Sequence, residues 1–157
     1  MGFFTKTKGS IISDSFMLIN DHANLKANLM YDVALYDDYL NIKLCFGKQE
    51  AKLNYKQITD VFYGMETEII EKDKSPIGRA VAGGLLFGGV GAMVGAISGT
   101  TKKVEKKNHF YFIISYTSSN GDETFLEFED TRLYRGSKVA KKLKELSKIE
   151  VPQQVTL

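Results

Sequence analysis

Residues 109–130 read HFYFIISYTSSNGDETFLEFED, and this stretch decides the fold. Its first nine residues are rich in aromatic and β-branched side chains, and a second alternating run follows the polar segment Ser119–Asp122. Asn-Gly between two such runs is the strongest short-range signal for a β-hairpin, because a type I′ turn needs positive φ at both central residues. We therefore predict two antiparallel strands joined by a type I′ turn.

Alternating segments upstream of this hairpin predict further short strands. They are MYDVALY (30–36), YLNIKLCF (39–46), QEAKLNY (49–55), ITDVFYG (58–64) and METEII (65–70). Asp37-Asp38 supplies a polar turn between the first two, and Gly64 marks a bend or interruption between the last two. Five strands thus fit Met30 to Lys72, which gives seven in an antiparallel meander. Residues 9–29 show no clear period, and IISDSFMLIND (11–21) fits either a short helix or an extra strand.

An amphipathic helix is predicted at the C-terminal end. KVAKKLKELSKI (138–149) places Val139, Leu143, Leu146 and either Ala140 or Ile149 on one face, with lysines on the opposite face. We expect the helix to begin between Asp130 and Ser137, and residues 150–157 to form a tail.

A glycine-rich apolar segment, GRAVAGGLLFGGVGAMVGAISG (78–99), separates the fifth predicted strand from the sixth. Its small residues recur four apart, a spacing that lets two helices approach closely. The glycines assigned to this packing are Gly84, Gly88, Gly91, Gly95 and Gly99. A single membrane crossing would place the flanking strands on opposite sides of the bilayer. We therefore predict a helical hairpin, with Ile77–Phe87 leading out and Gly91–Gly99 returning.

The predicted hairpin has apolar side chains for membrane contact and basic residues at its base. The membrane-contact candidates are Leu85, Leu86, Phe87, Val90 and Met93. The basic flank consists of Lys72, Lys74, Arg79, Lys102, Lys103, Lys106 and Lys107. Each basic residue near an anionic bilayer contributes about 1 kcal/mol, so this flank favours shallow insertion. The hairpin has three possible locations: in one leaflet, against a second copy, or folded over its own β-domain.

The order of these segments resembles that of bacterial pleckstrin-homology-like domains that carry a glycine-rich insertion. The segments that carry the resemblance are IKLCFGKQEAKLNYKQITDVFYG (42–64), PIGRAVAGGLLFGGVGAMVGAISG (76–99), the hairpin at 109–130 and KVAKKLKELSK (138–148). The resemblance implies a mainly β (α+β) fold: a seven-stranded antiparallel sandwich or open barrel, capped by the C-terminal helix. On this interpretation residues 1–29 precede a domain at 30–149, which residues 75–104 interrupt as the insertion.

The resemblance implies a binding or scaffolding module without catalysis. It does not imply phosphoinositide binding, because Asp37-Asp38 lies where a basic loop between the first two strands would be needed. Phe110, Phe112 and Tyr116 alternate like a base-stacking platform, yet their strand is apolar on both faces, which favours a core position over nucleic-acid binding.

Composition narrows the chemistry further. The net charge of +2 is too small to indicate a nucleic-acid partner, and the single cysteine, Cys45, fits a reducing cytosol. We expect Cys45 to be a buried small hydrophobe and His109 to be a half-exposed structural residue. Neither these residues nor His22 form a catalytic or metal-ligating pattern, so no enzyme activity, metal or cofactor is predicted.

Two functions follow from the sequence. The first is a non-enzymatic module that contacts a membrane or self-associates through the glycine-rich hairpin. Its expected location is the cytoplasm, with peripheral association at the inner face of the membrane. The alternative is a soluble adaptor or inhibitor that binds a protein or peptide through a sheet edge and the C-terminal helix. The corresponding partners are a lipid surface, a second copy of the chain, or another protein.

Overall fold

The computed structural model describes residues 9–65, 77, 80 and 109–148. Within these ranges the chain forms seven strands, a short 3-10 turn at Tyr55–Gln57 and the helix α1 at Gly136–Leu146, and residues 77 and 80 are also helical. The strands are β1 (Ile12–Leu18), β2 (Met30–Leu35), β3 (Tyr39–Leu44), β4 (Glu50–Asn54), β5 (Ile58–Met65), β6 (Phe110–Thr117) and β7 (Glu123–Glu129). The predicted mainly β fold with a C-terminal helix is confirmed.

All seven strands form one antiparallel sheet in the order β4-β3-β2-β1-β7-β6-β5. β1 joins the two halves of this sheet. Ile12 to Met17 pair with β2, while Met17 and Leu18 pair with β7. One hydrophobic cluster contains side chains from every strand and from α1, so the sheet curls around a single core.

Three phenylalanines mark the centre of this core. The ring centroid of Phe16 lies 5.0 Å from that of Phe112 and 6.1 Å from that of Phe128, and all three side chains are fully buried. Val139, Ala140 and Leu143 of α1 join the same cluster, and the helix packs on β1 and β5. The predicted apolar face and start of the helix are thereby confirmed, with Ala140 in the core and Ile149 outside the described residues.

Four strands, β2 to β5, occupy the described part of the range Met30 to Lys72 in which five were predicted, and residues 66–70 of METEII lie outside the described residues. Met65, the first residue of METEII, is the last residue of β5, and the strand pairs through Gly64 without a register shift, so it is not interrupted there. The irregularity in β5 lies between Ile58 and Asp60 instead. The seventh strand is β1, in the segment that fitted either a helix or a strand. It forms because Phe16 and Leu18 alternate with the outward-facing Ser15 and Met17.

This reassignment also moves the first turn of the domain. Asp37-Asp38 lies between β2 and β3, and the connection between the first two strands is residues 19–29. Leu25 of that connection is buried in the core, and the Tyr31 hydroxyl accepts the Lys26 N–H at 2.8 Å and donates to the Lys26 carbonyl at 2.9 Å. Asp37-Asp38 therefore does not lie in the turn between the first two strands, and its charge does not exclude an anion there.

The hairpin of β6 and β7 is confirmed, but its predicted turn type is wrong. Thr117 pairs with Glu123, which leaves a five-residue loop at 118–122. Gly121 has φ +86°, whereas Asn120 is not among the described non-glycine residues with positive φ. The Gly121 N–H donates to the Ser118 carbonyl at 2.9 Å, so a longer loop built on one turn replaces the type I′ geometry.

Candidate functional site

The start of the insertion packs on the outer face of the sheet, opposite the main core. Ile77 and Ala80 are helical and buried, with exposures of 1% and 3%. They form a second apolar cluster with Phe62 of β5 and Ile113 of β6, and Tyr111 and Phe125 pack at its margin. We call Ile77, Ala80, Phe62 and Ile113 the root cluster. It fixes where the insertion leaves the domain.

A hydrogen bond joins the same two segments. The Ile77 N–H donates to Asp60 Oδ2 at 3.3 Å, and Asp60 Oδ1 accepts the Val61 N–H at 2.9 Å. Asp60 follows the register shift in β5, which turns its carboxylate toward the insertion. For Ile77 and Ala80, the location against the chain's own β-domain is therefore the one observed.

All residues predicted to pack the hairpin, to contact a membrane or to form the basic flank lie outside the described residues. This applies to the five glycines from Gly84 to Gly99, to the five apolar candidates from Leu85 to Met93, and to the seven basic residues from Lys72 to Lys107. Their roles stay predictions. The sequence pattern did not single out Phe62 and Ile113, because their role depends on a partner far along the chain.

The two faces of β6 pack against two different apolar clusters. Phe112 and Ile114 lie in the main core, while Ile113 lies in the root cluster on the other face. Phe110 stacks on Tyr63 with ring centroids 5.9 Å apart. The predicted core position of this strand is confirmed.

A cavity of about 240 Å³ lies between the two halves of the sheet. Leu25, Ile42, Leu53 and Leu126 are among the side chains that line it. His22 Nε2 contacts the Tyr116 hydroxyl at its polar side. Burial lowers the pKa of His22, so the ring is kept neutral near neutral pH. Burial also raises the pKa of Tyr116, and a hydrogen bond with Thr124 opposes that shift. His22 and Tyr116 thus form a neutral contact that lines this cavity, a role that the sequence pattern did not predict for His22.

Two buried carboxylates hold the start of α1. Asp14 Oδ2 accepts the Arg135 N–H at 2.8 Å, and Asp130 Oδ1 accepts the Leu133 N–H at 3.0 Å. Asp130 Oδ2 also accepts a hydrogen bond of 2.7 Å from the Tyr63 hydroxyl. Both carboxylates thus satisfy groups of the protein itself, which indicates a structural role.

The remaining sequence predictions have mixed outcomes. His109 is half-exposed as expected, and its Nδ1 contacts Glu129 Oε1. The prediction of a buried Cys45 is wrong, because β3 ends at Leu44 and Cys45 falls on the outward side with Lys43. Its thiol lies 3.7 Å from Ser15 Oγ, and partial desolvation of the sulfur raises its pKa.

Within the described ranges, no cluster of His, Cys, Asp and Glu side chains is arranged to hold a metal ion. No helix of the same ranges is long and apolar enough to cross a membrane.

Comparison with known families matches this architecture. No curated protein matches the chain. A family model described as a glycine zipper containing PH domain matches residues 16–128, which is more than half of the chain. The match begins within β1 and ends within β7, and it includes the inserted segment. PH-like domains are generally non-enzymatic binding modules. The chain belongs to the family of glycine-zipper-containing pleckstrin-homology (PH) domains.

Proposed function

We propose that the chain is a non-enzymatic binding module that contacts a membrane through the insertion at 75–104. In the alternative form of this proposal, the glycines from Gly84 to Gly99 pair the insertions of two copies of the chain. The supporting observation is the root cluster. Ile77 and Ala80 are held on the outer face of β5 and β6, so the apolar segment that follows is attached to the domain at a defined point.

The two described residues of the insertion support the proposal because they pack away from the main core. Ile77 and Ala80 belong to the root cluster and not to the cluster around Phe16, Phe112 and Phe128. The sequence that follows is apolar and rich in glycines four apart, a pattern that favours contact with lipid or close packing with another helix.

Flotation with anionic vesicles tests the proposal. We would replace residues 81–104 by a Gly-Ser linker and keep Ile77 and Ala80, so that the root cluster stays filled. The wild-type protein is expected to float and the linker variant to lose most of its binding. A second variant, Gly91→Leu with Gly95→Leu, alters the predicted glycine face without shortening the chain. Its oligomer mass by light scattering is expected to fall if the glycines pair two copies.

One result of these experiments would overturn the proposal. A linker variant that floats as well as the wild type, with an unchanged mass in solution, leaves no role for the insertion in membrane contact or assembly. Retained β-sheet circular dichroism in both variants is the required control, since an unfolded domain would lose binding for a trivial reason.

The sheet edges support a second candidate, a protein-binding adaptor. Among the described strands, β4 and β5 end the sheet order, and α1 packs beside β5. An extended peptide can add to such an edge by main-chain hydrogen bonds. A monomer that does not float but binds a defined partner protein through β5 and α1 would favour this function over the first.

A further inference from the structure

A second surface combines positive charge with exposed apolar side chains, and it lies where β7 passes into α1. Residues 131–144 read TRLYRGSKVAKKLK and contain no acidic residue. The basic residues of this stretch are Arg132, Arg135, Lys138, Lys141, Lys142 and Lys144. Val139, Ala140 and Leu143 are buried against the core, so Lys138 and Lys141 are left on the exposed side of the helix.

The loop before the helix presents two large apolar side chains to solvent. Leu133 is 56% exposed and Tyr134 is 52% exposed. Leu133 has φ +54°, a conformation that costs energy for a leucine, and its N–H is held by Asp130 Oδ1 at 3.0 Å. The fold thus maintains a strained backbone at a residue whose side chain gains little burial. Arg135 lies over the Tyr134 ring, 4.9 Å from its centroid.

This loop and the turn between β3 and β4 both contact β1. The Arg135 N–H donates to Asp14 of β1 at 2.8 Å, and Oγ of the next residue, Ser15, lies 3.7 Å from the Cys45 thiol. Desolvation raises the pKa of that thiol, the charge of Asp32 raises it further, and the hydrogen bond with Ser15 and the charge of Arg132 oppose the rise. The loop and the turn are thus attached to consecutive residues of β1.

The turn between β3 and β4 carries a third exposed large apolar side chain. Phe46 follows Cys45 and is 92% exposed, the highest value among the exposed large apolar side chains of the described residues. Lys48 is in the same turn. We define the loop surface as Arg132–Arg135 together with Phe46, Lys138 and Lys141.

We propose that the loop surface binds an anionic lipid bilayer, with Leu133, Tyr134 and Phe46 in the headgroup region and the basic residues against the lipid phosphates and carboxylates. Charge complementarity and the apolar side chains together select this partner. An acidic protein or a nucleic acid would match the basic residues, but a bilayer interface also takes up leucine and aromatic side chains beside them. This contact goes beyond the insertion, because it does not require residues 81–104.

A tryptophan reporter tests the contact directly, since the chain has no tryptophan of its own. Tyr134→Trp and Phe46→Trp would be made separately in the full chain and mixed with vesicles of equimolar phosphatidylcholine and phosphatidylserine. Both are expected to show a blue shift of emission and quenching by bromine-labelled acyl chains. Tyr39→Trp is the matched control: Tyr39 stacks on Tyr36 at the other end of β3, and the emission of this variant should not change.

Replacing the exposed lysines of the loop surface by glutamine tests the electrostatic contribution to vesicle binding. Each basic residue at an anionic surface contributes about fivefold to partitioning, so Lys138→Gln with Lys141→Gln should weaken vesicle binding by about 25-fold. Lys26→Gln with Lys56→Gln removes the same charge at two exposed sites outside the loop surface and should leave binding within about twofold.

The two proposals fail in different ways. If the Tyr134→Trp and Phe46→Trp variants float while their emission stays unchanged, the protein binds through the insertion alone, which overturns the loop surface and leaves the proposed function standing. The loop surface is also overturned if the protein binds vesicles of phosphatidylcholine alone as well as vesicles with phosphatidylserine. The same holds if the two double lysine variants lose binding equally.

Two further outcomes of the reporter experiment decide between partners. An emission shift of the Tyr134→Trp variant with an RNA oligonucleotide, without a response to vesicles, overturns the lipid contact. A vesicle-induced shift of the same variant that persists after residues 81–104 are replaced by the linker supports the loop surface independently of the insertion.

Discussion

The Tyr63 hydroxyl donates a hydrogen bond of 2.7 Å to Asp130 Oδ2, and this contact joins strand β5 to the residue that directly follows β7. The carboxylate it meets also lies against Gly136, the first residue of the helix. A Cβ on Gly136 would overlap Asp130 Oδ2 and lie 2.9 Å from the Tyr63 ring. The close approach of strand, carboxylate and helix requires glycine at this position.

We expect Gly136→Ala to destabilise the domain, although alanine is the better helix former. The intrinsic preference for alanine is about 1 kcal/mol, while forcing a methyl group into a packed site costs about 1–3 kcal/mol. Asp130 cannot move away cheaply because its other oxygen holds the Leu133 N–H. Urea unfolding measures the difference. Ser137→Ala, at the next and exposed position, is the control and should change stability by less than about 0.5 kcal/mol.

Ile77→Ala should destabilise the domain even though Ile77 belongs to the insertion. Truncating a fully buried isoleucine typically costs about 2–5 kcal/mol, and Ile77 is 1% exposed in the root cluster. Leu29→Ala makes a comparable truncation at a side chain that is 41% exposed, and it should cost far less. Equal urea midpoints for the two variants would show that the root cluster does not stabilise the fold.

Stability should fall at alkaline pH because four tyrosines are held in their protonated form. Burial is the main cause that raises the pKa of Tyr36, Tyr55, Tyr63 and Tyr116 above the ordinary value of 10.0. Above that value the unfolded chain loses these protons while the folded chain retains them, so the free energy of unfolding decreases as pH rises. Tyrosinate absorbance should therefore appear together with unfolding. Earlier titration of these tyrosines in the folded protein would contradict the prediction.

His22 should make the domain less stable in mild acid. Burial lowers its pKa in the folded protein below the ordinary value of 6.5. As pH falls through that value, the unfolded chain binds a proton that the folded chain does not, so the free energy of unfolding decreases until the folded pKa is reached. Urea midpoints across this range should show a smaller slope for His22→Gln than for the wild type. Identical slopes would show that ionisable groups other than His22 cause the loss of stability in mild acid.

Cys45 should be accessible in the folded protein but slow to react. The residue is exposed, so Ellman's reagent is expected to label it fully without denaturant. The raised pKa lowers the thiolate fraction, and the rate should be below that of free cysteine at the same pH. Labelling that occurs only after unfolding would show that Cys45 is buried in the folded protein, as the sequence predicted.

Much of the fold is encoded locally. The two alternating runs around residues 118–122 predicted β6 and β7, and the spacing of Val139 and Leu143 predicted α1. Periodicity works here because each of these elements buries one face against the core. It was ambiguous for β1, since the short stretch around Phe16 and Leu18 fits two periods. It was wrong for Cys45, where the end of β3 decides the outcome. Of the two alternatives at Gly64, a bend or an interruption, the pairing of β5 with β6 excludes the interruption.

The sequence by itself determined the strand periods, the amphipathic helix, the apolar character of the insertion and the basic stretch at 131–144. Only the tertiary structure placed Ile77 on Phe62 and Ile113, attached the turn at Cys45 and the loop before α1 to consecutive residues of β1, and set two buried carboxylates under the start of that helix. These relationships join residues far apart in the chain, and their geometry depends on how β1 connects the two halves of the sheet. Local periodicity reports which side of an element is apolar, but it does not report which distant surface that side meets.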